Sequence, residues 1–190
     1  MNTALETNAA RRTLAPSPGR WTIDPGHAHV GFVGRHFGMT KVRGRFDRVS
    51  GELIVGNDPS ASSVVVRIDT TSISAGDEAR NGHLKSADFF DVERYPVATF
   101  ESSTVVVDGT TATMTGTLTI KDVSHPVTLD VEYVGSTIDT AGDERAVFAA
   151  SGKLNREDWG LTWNMLLDTG GLLVSREIRL EIDVEAVRQA

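Results

Sequence analysis

Three observations predict an all-β protein of about eight antiparallel strands closed into a barrel, with one short helix. Apolar and polar residues alternate with period two along most of the chain. The 18 glycines are spread between short segments rich in Val, Thr and Ile. One isolated stretch departs from the alternation and has helical spacing. The chain has 190 residues, enough for a single domain with a substantial core. With 39% hydrophobic and 24% charged residues it is not disordered throughout. Its 19 Lys+Arg against 26 Asp+Glu give a net charge of −7, the wrong balance for a partner held by phosphate neutralisation, so no nucleic-acid partner is expected. Cysteine is absent, which excludes disulfides, thiolate metal sites and a Cys nucleophile. The longest apolar run, Ala146 to Ala150, is five residues; a spanning helix needs about 20.

Taken in order, residues 1–20 (MNTALETNAARRTLAPSPGR) read as a flexible tail and residues 21–190 as one domain. No part of that tail supplies the roughly 7–15 apolar residues of a secretory leader. Arg11-Arg12 is followed by too short and polar a segment for a twin-arginine signal. A cytoplasmic location is the expectation.

The clearest strand is TATMTGTLTIK over residues 111–121. Thr111, Thr113, Thr115, Thr117, Thr119 and Lys121 share one parity; Ala112, Met114, Gly116, Leu118 and Ile120 share the other. In a strand the two parities are opposite faces. Near the end of the chain Ser175, Glu177, Arg179, Glu181, Asp183 and Glu185 oppose Val174, Ile178, Leu180, Ile182, Val184 and Ala186, with Arg176 the one charge on the apolar parity. Val64, Val66 and Ile68 alternate similarly, as do Ala98 and Phe100, Val127 to Tyr133 through Leu129 and Val131, and Phe148, Ala150 and Leu154. One wet and one dry face suits antiparallel pairing. Residues 77–90 (DEARNGHLKSADFF) read as the helix, with Leu84, Ala87 and Phe90 on one side, Ser74 and Asp77 in capping-box spacing, and Tyr95-Pro96 beyond. Eight antiparallel strands remove their edges by closing. The inward parity carries small residues, Gly34, Ala98, Gly116, Ala150 and Gly152, which leave volume for an apolar guest.

A set of motifs in fixed order then becomes recognisable: Trp21-Thr-Ile-Asp24-Pro25 with His27, Phe32 and His36; Val42-Arg43-Gly44-Arg45-Phe46 to Ser50-Gly51; Ile73, Arg80 and His83 to Val92; Tyr95-Pro96 with Thr99-Phe100; Gly116 to Ile120 with His125-Pro126-Val127; and Asn155-Arg156-Glu-Asp-Trp159-Gly160. In these the chain resembles the YceI-like family, polyisoprenoid-binding proteins of lipocalin-like fold, over residues 21 to about 187. The resemblance implies an extended, bent barrel with a hollow interior. It implies an isoprenoid-type lipid ligand (a polyprenyl chain, polyprenyl phosphate or quinone), a carrier, storage or sequestration role without catalysis, and a homodimer. Trp159 stands where the family often has Phe, and His29 is outside the pattern.

The inward parity, with Phe32 and Trp163, supplies the expected tunnel lining: Val64, Val66, Ile68 and Phe100; Met114, Leu118, Leu129 and Val131; Phe148, Leu154, Ile178, Leu180 and Ile182. Arg80, His83, Asn155 and Arg176 are the candidates for a polar head group. Arg80 and His83 serve equally as a cap fixing the helix to the barrel, and Arg176 as a rim residue turned outward by a bulge. Trp159 reads as a plug. His27 and His29 lack a full ligand set, so no metal is expected and Asp24-Pro25-His27 reads as a hydrogen-bonded turn. No cofactor and no catalytic residue is expected; Gly-x-Ser-x-Gly, phosphate-loop and His-Glu-x-x-His patterns are missing. The basic stretch Arg35, Lys41, Arg43, Arg45 and Arg48 reads as a solvated face or as a transient membrane contact during lipid pickup. An enzyme of unknown chemistry on the same barrel and a stress-related interaction module with a vestigial cavity are the competing functions.

Overall fold

In the computed structural model, which describes residues 15–168 and 171–190, the alternating segments become ten strands. They are β1 (Gly19–His36), β2 (Thr40–Phe46), β3 (Val49–Val55), β4 (Ser63–Asp69), β5 (Ile73–Ser74), β6 (Val97–Asp108), β7 (Thr111–Ile120), β8 (Val123–Ile138), β9 (Glu144–Asn155) and β10 (Glu177–Arg188), with one α-helix, α1 (Glu78–Lys85). All pairings are antiparallel. Neighbours run β10-β9-β8-β7-β6-β4-β3-β1, and β1 pairs back onto β10 from Trp21↔Arg188 to Val33↔Arg179. Those eight strands form the expected closed barrel. The other two lie on one flank: β2 pairs with the second half of β1, and β5 with the end of β2. The edge that β2 leaves beyond β5 is short and carries exposed Lys41 and Arg43, charges that discourage further strand pairing.

β1 is long enough to serve two neighbours, Gly19–Thr22 against β3 and Val30–His36 against β2. Its register against β10 shifts between Ile23 and Ala28. Further shifts lie at Ser102/Thr104 on β6 and Tyr133/Gly135 on β8. Such bulges bend strands and let a barrel curve. The β1 bulge is the hydrogen-bonded turn read from Asp24-Pro25-His27. Asp24 Oδ1 accepts the Gly26 N–H at 2.9 Å, and His27 Nδ1 lies 2.9 Å from Asp24 Oδ2. Arg145 on β9 then donates to Asp24 at 2.6 Å and to Asp139 at 2.7 Å, tying three segments together. Glu185 on β10 is 3.5 Å from the same guanidinium. Asp24, His27 and Glu185 thus converge around an arginine; His29 takes no part in the cluster.

Two boundaries differ from the sequence expectation. Residues 1–14 of the expected flexible tail lie outside the described residues, but its last part is docked. Ser17 Oγ donates to Glu144 at 2.7 Å, the Trp21 indole donates to the Ser17 carbonyl at 3.0 Å, and Arg188 donates to the Pro18 carbonyl at 2.8 Å. Burying Trp21 completely requires a partner for its N–H, and the segment just before β1 provides it. The helix is also shorter than 77–90. Asp77 alone caps it, accepting the Arg80 N–H at 2.8 Å, while Ser74 sits in β5. Ser86 ends it: its N–H reaches the Gly82 and His83 carbonyls, and its hydroxyl donates to the His83 carbonyl at 2.7 Å. Phe89 and Phe90 therefore come from the following turn and not from the helix. No residue of α1 is fully buried, and Ala79, Arg80, His83 and Leu84 face the barrel interior at one end.

The Asp24 cluster makes the bulge pH-sensitive. The Arg145 hydrogen bond, then that of His27 and the Gly26 N–H, lower the Asp24 carboxyl from 3.8 to about 2. A depressed carboxylate stabilises the fold above its unfolded-state value, and that contribution disappears as pH falls through about 2. Asp24→Asn is expected to lower the melting temperature at pH 7 by about 2–6 °C. The gap to the unsubstituted protein should close by about pH 2. Thermal melts at the two pH values check this; an undiminished gap in acid would assign the loss to packing instead.

Candidate ligand-binding cavity

The inward faces of the ring do not meet. They enclose a cavity of about 640 Å³ with an overwhelmingly apolar wall, inside the roughly 300–1,000 Å³ range of small-molecule sites. Ala98 and Val107, nine residues apart on β6, both line it; at about 3.3 Å per residue the cavity follows the strand for roughly 30 Å. One end is bordered by α1 through Arg80 and His83, and by Trp163; the other by Val55, Val107 and Ala112. The structure places every predicted tunnel residue on this wall, from Phe32 on β1, through Val64, Val66, Ile68, Phe100, Met114, Leu118, Leu129, Val131, Phe148 and Leu154, to Trp163 and Ile178, Leu180 and Ile182 on β10.

The small inward residues work differently from the expectation that they leave space. A Cβ on Gly116 would stand 2.4 Å from the Phe100 ring and one on Gly152 2.8 Å from Leu129, so both glycines are already covered. Gly44, on the strand beside Phe32, would meet that ring at 2.3 Å. Each glycine is a seat on which a large neighbour lies flat against the wall. The lumen stays open because those side chains lie along it and not across it. Gly34 is likewise covered by Ile178 at 3.3 Å.

At the α1 end the wall becomes aromatic and basic. His83 stands edge-on to Phe89 (5.1 Å between centroids) and to Trp163 (4.4 Å), and its Nε2 lies 3.0 Å from Asp88 Oδ2. Trp159 is 2% exposed, and its indole donates to the Leu118 carbonyl at 2.9 Å. It closes that part of the barrel as a packed wall residue, in keeping with a plug. Arg80 reaches back to the Ala75 carbonyl at 2.8 Å, tying the helix to the segment after β5, and also lines the cavity. The other two head-group candidates are not on the wall. Asn155 is exposed and caps the 3-10 turn Arg156–Trp159, accepting the Glu157 N–H at 3.1 Å. Arg176 is exposed and pairs with Glu157 at 3.1 Å. β10 begins at Glu177, so the apolar parity does not reach back to residue 176, and the outward reading of Arg176 is the correct one.

Sequence reasoning passed over Arg156 as a site residue. It is 5% exposed and lines the cavity. Nε donates to the Ser175 carbonyl at 3.0 Å and Nη1 to the Leu161 carbonyl, and the guanidinium lies 5.8 Å from the centre of the Phe89 ring. Nη2 is the one buried side-chain nitrogen or oxygen without a hydrogen-bond partner among the described residues. Burial pushes this guanidinium below its ordinary range. Strand parity does not reach Arg156, because it opens the 3-10 turn beyond β9.

With this geometry in view, residues 21–186 match the family model described as a YceI-like domain. The chain belongs to the YceI-like domain family. Protein YceI of Escherichia coli O157:H7 is 38% identical over 164 residues, covering 86% of this chain and 83% of that protein. Among solved structures, Burkholderia cenocepacia BcnA superposes with a TM-score of 0.75 at 24% identity, covering 86% of this chain and 98% of BcnA. A polyisoprenoid binding domain from Saccharophagus degradans superposes with a TM-score of 0.65 at 16% identity, covering 89% and 98%. These two likenesses are likenesses of fold. In this YceI-like barrel the expected all-β, bent antiparallel architecture is present.

The seat argument has a direct consequence. Gly44→Ala forces the Phe32 ring off the wall, and the lumen is the open direction. The substitution should cost about 1–3 kcal/mol of stability, as overpacking does. It should also weaken binding of a long-chain fluorescent probe more than it weakens the fold. Denaturant melts and probe titrations on the same preparation check this; unchanged probe affinity would show that the Phe32 ring does not set the lumen width.

Proposed function

We propose that this YceI-like protein binds one long isoprenoid-type chain in the tunnel, polar end toward α1, and carries, stores or sequesters it without transforming it. The observation that carries this reading is the cavity itself: 640 Å³, elongate and walled by aliphatic and aromatic side chains. A folded domain forfeits packing and hydration energy by keeping such a space, unless a guest fills it. Each buried CH₂ of a guest contributes about 0.8 kcal/mol, so ten contribute about 8 kcal/mol, enough to offset much of an association cost of about 4–15 kcal/mol. The family, and the description of the Saccharophagus degradans neighbour as polyisoprenoid binding, favour an isoprenoid over other apolar chains. Among the described residues the wall offers no nucleophile held by a base and no paired carboxylates, which favours carriage over chemistry.

An isoprenoid alcohol or quinone at about 100 times its Kd should stabilise the fold by about 2.7 kcal/mol. For a domain of this size that raises the melting temperature by about 5–10 °C. Ala150→Phe, which places a ring in the lumen, should abolish the shift. Differential scanning fluorimetry checks both; no shift with any isoprenoid tried, and no lipid in solvent extracts of detergent-free protein, would overturn the proposal.

Loading from a bilayer is part of the same proposal. The β1–β2 turn exposes Phe37 (46%) and Met39 (75%), and the adjoining hairpin exposes Met165 (55%) and Leu166 (78%). The two are joined by the Phe37 N–H donating to the Leu173 carbonyl and by the Leu173 N–H donating to the Met165 carbonyl. Leu173 and Val174 line the cavity, so this greasy tip stands at the tunnel mouth. Phe37 holds a left-handed φ of 55°, which a bulky residue adopts only at a cost. Exposed Arg35, Lys41 and Arg43 lie behind the tip, whereas Arg45 and Arg48 are engaged by Asp47 and Asp69. The protein should float with vesicles containing anionic lipid, and Met39→Ser with Leu166→Ser should reduce that several-fold; flotation assays that recover none with the lipid would remove the bilayer from this account.

A further inference from the structure

Opposite α1 the lumen runs out to solvent. Val105 and Val107 share the inward parity of β6 and both line the cavity, yet Val105 is 8% exposed and Val107 is 37% exposed. The wall therefore passes from interior to rim within two residues. Around this rim stand small or hydroxylated residues, Ser62 and Ser63 where β4 begins and Gly109 and Thr110 in the β6–β7 turn. None of these side chains is bulky enough to end an apolar tube.

The segment just before β1 lies at the same end, because Gly19 pairs with Val55, the last residue of β3. Ala15, Pro16 and Ser17 are half-buried, and the first two line the cavity. The segment is clipped to three strands. Ser17 Oγ donates to Glu144 at the start of β9, Arg188 at the end of β10 donates to the Pro18 carbonyl, and the Trp21 indole of β1 donates to the Ser17 carbonyl. Arg188 also pairs with Glu144 at 3.2 Å, so two of the clips are linked. Pro16 and Pro18 restrict the backbone between the anchors. Ala15 and Pro16 are thus held at the rim as a strap.

From this placement we propose that the strap of residues 15–18 is the chain-length stop of the tunnel: it stands where the tail of an apolar guest ends and sets the longest chain the barrel holds. This rests on the tunnel being a lipid site, and it says which length of lipid that site takes. An extended chain advances about 1.2 Å per bond, as a polypeptide's three bonds per residue advance about 3.5 Å, so an isoprene unit of four chain bonds advances about 5 Å. About five units and a polar end fill the lumen of about 30 Å along β6. A longer chain must lift the strap from Glu144 and Arg188 or leave its last units in water. A shorter one leaves apolar wall uncovered and forgoes the burial of the missing carbons.

The test incubates detergent-free protein with an equimolar mixture of all-trans prenols of three, five and nine units and reads the bound species by native mass spectrometry. The unsubstituted protein should hold the five-unit alcohol most, with the nine-unit alcohol about fivefold less or lower, the effect of breaking one hydrogen-bonded clip. Ser17→Ala with Arg188→Gln removes the two side-chain clips and leaves the Trp21 indole its carbonyl partner. That double variant should bring the nine-unit alcohol to within about twofold of the five-unit one. Ala15→Trp enlarges the stop and should move the maximum to the three-unit alcohol. The two variants shift the distribution in opposite directions, which a general loss of stability does not do. Equal occupancy by the five- and nine-unit alcohols in the unsubstituted protein would overturn the inference while leaving the lipid tunnel intact. So would a distribution unchanged by both variants. If no prenol of any length is bound, the tunnel reading fails and this inference with it.

Discussion

The width of the lumen depends on where three large side chains lie. Phe32 rests over Gly44, Phe100 over Gly116 and Leu129 over Gly152, each so close that a methyl group on the glycine would collide with it. In a closed ring of eight strands the inward residues face one another across a fixed distance, and in small barrels they normally fill it. Here the glycines take the rings and branches out of the centre and lay them along the wall. Hydrogen bonding closes the barrel, and the glycine seats keep it hollow.

The same ring separates charge. Outside, acidic and basic residues alternate and pair across strands, as Arg145 does with Asp24 and Asp139. Inside, the cationic side chains Arg35, Arg80 and Arg156 stand at the end bordered by α1, while Ser62, Ser63, Thr110 and Thr111 line the other end. The two ends of the tube therefore differ in charge. The aromatic group of His83, Phe89 and Trp163 lies at the boundary, where apolar rings with a polar edge suit both sides.

Period two made most of this legible in the sequence. Met114, Leu118, Leu129 and Leu180 were placed inward because parity fixes the face of a strand residue. Parity misled where the backbone leaves the strand. Arg176 was extrapolated from β10 across an irregular stretch and turns outward to Glu157. Asn155 ends β9 as a cap, which its position after Leu154 does not reveal. Helical spacing overran the true end of α1 because Ser86 stops it through a side-chain hydrogen bond. The glycine seats were invisible for another reason: they depend on which residue of the next strand lies alongside, and register is a property of pairs. Arg156 lies past the end of β9 in the 3-10 turn, so its burial against the cavity needed the fold.

The central claim is that the barrel is held open for a chain. The most direct measurement is a crystal structure of the protein purified without detergent and loaded with geranylgeranyl phosphate. The account predicts continuous density along the lumen between Ala98 and Val107, with Phe32, Phe100 and Leu129 still flat on their glycines. Those side chains turned inward across a closed lumen, with the lipid absent or on the surface, would contradict it.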